Sequence, residues 1–73
     1  MRWGPVMERG TVKSYDQSCG MGLISRLANA DVKFYAGSIL GRDRIDLKQG
    51  DPVWFEVDNI KNLHIAINIR KCM

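Results

Sequence analysis

A single histidine, His64, and two cysteines, Cys19 and Cys72, are the only imidazole and thiol groups in this 73-residue chain. Together they fall short of the four ligands a structural zinc needs, so no metal site is expected. The sequence has no Gly-x-Ser-x-Gly elbow, no phosphate loop with its lysine, and no cysteine close to His64. The standard catalytic constellations are therefore missing, and neither enzymatic activity nor a cofactor is expected. What remains is surface chemistry. Eleven Lys and Arg against eight Asp and Glu give a net charge of +3. A mildly basic small domain suits phosphate-rich partners. Residues 1–6 carry neither an apolar run nor a cleavage site, which leads us to expect a cytoplasmic protein with free thiols. No stretch reaches the roughly 20 apolar residues that cross a bilayer, so no membrane partner is expected.

Turn residues cut the chain into short alternating runs. Strands are expected over 10–15, 20–25, 31–36, 52–57 and 63–69, where β-branched and aromatic residues recur with period two. Val53, Phe55 and Val57 share one face of the fourth run, which turns Trp54 outward. In the last run Leu63, Ile65, Ile67 and Ile69 share a face, opposite His64, Ala66 and Asn68. Residues 38–50 read as a long, partly packed loop. Five short strands without a 3.6-residue helical period indicate an all-β chain, and closure into a barrel removes the exposed edges of so short a sheet. We expect a five-stranded antiparallel Greek-key barrel with Val12, Ile24, Val32, Val53, Phe55, Ile65 and Ile67 in its core. Gly20 and Gly22, flanking Met21, would weaken a strand unless something approaches its backbone closely there, a first hint of a binding face.

The order of motifs resembles the cold-shock domain family. Gly10-x-Val12-Lys13 followed by Gly20-x-Gly22-x-Ile24 is similar to the family's opening and its first ribonucleoprotein motif, Lys-Gly-Phe-Gly-Phe-Ile. Asp31-Val32 stands where the second motif, Asp-Val-Phe-Val-His-Phe, begins. Ser38-Ile39, Leu47, Gly50, Val53, Phe55-Glu56-Val57 and Ala66-x-Asn68-Ile69 keep the register. The resemblance covers residues 7 to about 70. Residues 1–6 then form an N-terminal extension, and residues 7–73 a cold-shock-like OB-fold barrel. Trp3 with Arg2 could fold over the sheet, although a frayed tail is the simpler expectation.

The resemblance implies binding of single-stranded RNA or DNA, with bases laid on sheet aromatics and cations tracking phosphates. This chain departs from the pattern at most stacking positions. Ser14 replaces the family tryptophan, and Tyr15 a phenylalanine. Met21 and Leu23 replace the two phenylalanines of the first motif, with Cys19 in place of its lysine. Lys33, Tyr35 and Ala36 replace the Phe, His and second Phe of the other motif, and Arg44 aligns with a loop aromatic. The implied nucleic-acid-binding residues are Lys13, Tyr15, Met21, Leu23, Lys33, Tyr35 and Arg44. With stacking worth about 1–3 kcal/mol per base, binding is expected to be weak and driven by charge, suited to an RNA chaperone or a regulator of gene expression. The alternative is a protein-interaction module that has lost nucleic-acid binding and uses Trp54, Met21 and Leu23 as its contact patch.

Overall fold

The computed structural model describes residues 7–60 and 63–72, and its architecture is a closed five-stranded barrel. The strands are β1 (Glu8–Asp16), β2 (Met21–Arg26), β3 (Val32–Tyr35), β4 (Pro52–Ile60) and β5 (Leu63–Lys71). Their order around the barrel is β1-β2-β3-β5-β4, and β4 returns to β1. A 3-10 turn (Ala36–Ser38) and one turn of helix, α1 (Asp43–Asp46), fill the connection from β3 to β4. Buried Ile39 and Leu47 pin that connection to the core, while Ile45 points to solvent. The Trp3 expectation lies outside the described residues.

Four of the neighbouring pairs are antiparallel, but β3 and β5 run parallel. The wholly antiparallel arrangement expected from sequence is therefore corrected. The reason is parity: directions cannot alternate around a ring with an odd number of strands, so a closed five-stranded barrel must contain a parallel neighbour pair.

The core consists of Val12, Ile24, Val32, Phe34, Ile39, Leu47, Val53, Phe55, Ala66 and Ile69. Ile65 and Ile67, expected inside, are only half-buried. The cause is a bulge in β5. Trp54 pairs with Arg70 and Glu56 with Ile67, so Asn68 and Ile69 together oppose Phe55. Asn68 takes φ 53°, a left-handed conformation that asparagine tolerates better than most residues. The extra residue reverses the strand's phase. Ala66 points inward before it and Ile69 after it.

One row crosses all five strands: Tyr15, Gly22, Phe34, Ala66 and Val57. The fully buried Phe34 ring stands between the two smallest members of this row. A Cβ on Gly22 would collide with the Ser14 carbonyl oxygen and lie 2.5 Å from Phe34 Cζ. Gly20 has a different task, taking φ 72° to close the β1–β2 turn. The close approach expected around Met21 is made at Gly22 by the barrel's own interior. At the opposite end, the half-buried Arg26 guanidinium makes a two-pronged bond to Glu8, with Nε to Oε1 at 3.0 Å and Nη2 to Oε2 at 2.7 Å.

Gly22→Ala should destabilise the protein by about 1–3 kcal/mol, the range for overpacking a tight core. The measurement is the urea midpoint, which should fall with an unchanged slope. A midpoint within error of wild type would show that Phe34 can move aside.

Candidate nucleic-acid interface

The outer face of β1–β3 is set by alternation and by a second bulge. Val12 pairs with Ile24 and Ser14 with Leu23, so Lys13 is the extra residue on β1. Beyond it, Ser14 and Asp16 face outward while Tyr15 returns toward the interior. Two cross-strand rows result on the outer face, Ser14–Leu23–Lys33 and Asp16–Met21–Tyr35. Side chains opposed in such rows are direct neighbours.

This geometry brings together four of the seven residues implied by the resemblance: Met21, Leu23, Lys33 and Tyr35. Met21 is 40% and Tyr35 41% exposed. The Lys33 ammonium stands 6.0 Å from the centroid of the Tyr35 ring, within cation–π range. A shallow groove of about 330 Å³ opens beside them, lined by Ser14, Asp16, Cys19, Met21, Gly22, Leu23 and Lys33. Its walls are mainly apolar, with one cation and one carboxylate.

The other three sit differently. Tyr15 is half-buried, its ring 5.3 Å from Phe34 and tilted by 40°, so much of its π-surface is already used inside the row. Lys13 is exposed but donates to Asp31 Oδ2 at 2.7 Å. An exposed pair of this kind is worth at most about 1 kcal/mol, so a phosphate could compete with Asp31 for the ammonium. Arg44 lies on α1, where Nη2 approaches the Ile39 carbonyl at 3.5 Å. No hydrogen bond or ion pair among the described residues links Arg44 to the other six.

Asp16 organises the turn at the end of this face. Its Oδ1 accepts from the Ser18 hydroxyl at 2.6 Å and from the Ser18 backbone N–H at 3.0 Å, and Cys19 Sγ lies 3.2 Å from Oδ2. These donors favour the charged carboxylate. The Ser18 hydroxyl has the largest effect, then the Cys19 thiol, then the two backbone amides, and together they hold Asp16 below its ordinary 3.8. Cys19 and Cys72 are both free thiols. Trp54 points outward as its alternation requires, but its cross-strand partners are Arg9 and Arg70, so it stands in a different row from Met21 and Leu23.

Because the folded value is lowered, the Asp16 turn is fully formed above the ordinary carboxylate range. It should loosen as pH falls through the lowered value. Amide shifts of Ser18 and Cys19 followed from pH 6 downward should titrate together below the ordinary range, and Asp16→Asn should abolish that titration. Independent titration of the two amides would contradict the shared carboxylate.

No family model and no curated protein matches this sequence.

Proposed function

We propose that this barrel binds single-stranded RNA or DNA weakly across the outer face of β1–β3, as an RNA chaperone or regulator of gene expression in the cytoplasm. The observation that carries this reading is the juxtaposition of exposed Tyr35 and Met21 with Lys33 on one sheet face. A phenol ring and a polarisable thioether offer bases flat apolar surface, and the lysine offers a phosphate partner. The strand order β1-β2-β3-β5-β4 with a parallel β3–β5 pair supports a Greek-key OB-type barrel. The resemblance of its motif order to cold-shock domains points the same way.

The altered residues explain why the binding is weak. Among the described residues Tyr35 is the one exposed aromatic ring on this face, whereas a full set would give several platforms at about 1–3 kcal/mol each. Charge has to carry more of the affinity. Lys13, Lys33 and Arg44 acting together would give a slope of log affinity against log salt near −2, about 0.7 per phosphate. That corresponds to a roughly twentyfold loss between 50 and 200 mM salt. The protein-interaction reading is favoured by one feature, the largely apolar lining of the groove beside Met21 and Leu23.

Titration of a short oligopyrimidine should give micromolar or weaker affinity at physiological salt. Tyr35→Ala should weaken it about tenfold with little change in salt slope, since stacking releases no counterions. Lys33→Ala should make the slope shallower by about 0.7, for all sequences alike. Lys13→Ala should change it less, because Asp31 already supplies that ammonium's counter-charge. If Tyr35→Ala and Lys33→Ala are both silent, this face does not bind the strand.

A further inference from the structure

A second row crosses the outside of the barrel at the other end of β1. Arg9 on β1 and Arg70 on β5 are the cross-strand partners of Trp54 on β4, one on each side. All three side chains are exposed, Trp54 by 37%. The Arg9 guanidinium carbon lies 5.8 Å from the indole centroid. Neither Arg9 nor Arg70 is paired with a carboxylate among the described residues, whereas Arg26, Lys13 and Lys71 each are. The nearest acid along the same face of β4, Glu56, is held by Asn68 Nδ2 at 3.2 Å. Beside Arg9, the Thr11 and Ser25 hydroxyls line a shallow groove of about 360 Å³ on the outside of β1.

An indole 37% exposed between two guanidiniums without carboxylate partners among the described residues gathers apolar surface and positive charge in one row. Such a row is a good way to hold a nucleotide. The indole gives a base a stacking surface, guanidinium planes stack beside it, and each arginine can take a phosphate through two parallel hydrogen bonds. We infer that the Arg9–Trp54–Arg70 row is a second contact for a single nucleic-acid strand, with a base on Trp54 and flanking phosphates on Arg9 and Arg70. This extends the nucleic-acid reading of the β1–β3 face. β1 belongs to both surfaces, carrying Arg9 and Thr11 outward at one end and Ser14 and Asp16 outward at the other, so one strand can pass from the first to the second. The span from Arg9 to Ser14 is about 16 Å at the usual rise of an extended chain.

The chain has two tryptophans, so the test uses the full chain carrying Trp3→Phe, in which Trp54 alone reports. A dodecamer of oligothymidylate is titrated while Trp54 emission is followed, in that protein and in versions adding Arg9→Gln with Arg70→Gln, Tyr35→Ala, or Lys33→Ala. Thermal midpoints confirm that each folds. Saturable quenching of Trp54 is expected, and with these two contacts added to the three of the β1–β3 reading the salt slope should lie near −3.5 and return to near −2 in the double arginine variant. Quenching that survives while Tyr35→Ala and Lys33→Ala are silent would support this row and overturn the β1–β3 face. Binding that Tyr35→Ala weakens, with Trp54 emission and the slope indifferent to the arginines, would overturn this row and leave that face standing. Equal quenching by poly-L-glutamate would overturn the nucleotide assignment in favour of an acidic protein partner. No binding of the dodecamer would overturn both.

Discussion

Phe34 has to fit inside a barrel of only five strands, and much of the structure follows from how room is made for it. Its neighbour on β2 is Gly22 and its neighbour on β5 is Ala66, so the ring is flanked by a residue with no side chain and one with a single methyl. Tyr15, paired with Gly22, and Val57, paired with Ala66, are the two ends of the row, Tyr15 with its ring against Phe34. Interiors are packed about as densely as organic crystals, so a large residue in a narrow barrel must be matched by small ones at the same level. The same matching occurs at Gly10, where a Cβ would lie 2.6 Å from the Ser25 carbonyl oxygen and 3.0 Å from the Phe55 ring. Each of the two buried phenylalanines thus has a glycine beside it.

This packing prepares the outer face as well. With Phe34 facing in, its neighbours Lys33 and Tyr35 must face out, and with Gly22 facing in, so must Met21 and Leu23. The candidate interface is the reverse side of the layer that packs the barrel, so its side chains sit on a backbone that the core holds still. The bulge at Lys13 separates Tyr15 from this group. It returns Tyr15 to the interior and places Lys13 beside Asp31. The chemistry left on the β1–β3 face is one exposed phenol, two apolar side chains and one cation without a carboxylate partner among the described residues.

The charge distribution is uneven around the barrel. Near β1–β3, Lys13 is balanced by Asp31, and Asp16 adds a carboxylate held in its charged form by the turn. At the other end of β1, Arg9 and Arg70 flank an aromatic ring with no such balance among the described residues. A net charge of +3 describes neither region. Where each charge lies relative to its partners decides which surface attracts a polyanion, and that is a property of strand register.

Period-two alternation by itself determined the all-β class, the five strands, the inward Val53 and Phe55 and the outward Trp54, because pleating sends neighbours to opposite faces wherever a strand is regular. Those statements needed only local sequence. The tertiary structure decided what lies beyond an irregularity. One residue added at Lys13 and another near Asn68 reversed the phase of β1 and β5, and so moved Tyr15 inward, Ala66 into the core and Ile65 and Ile67 out of it. A bulge has no periodic signature. Asn68 is the kind of residue that accepts a positive φ, but the residue type alone does not say that it does. The parallel β3–β5 pair followed from closing an odd ring, a condition on all five strands together. The meeting of Arg9, Trp54 and Arg70 was equally beyond a linear reading, since 45 residues separate the first two and only the pairing of β4 with both β1 and β5 makes them neighbours.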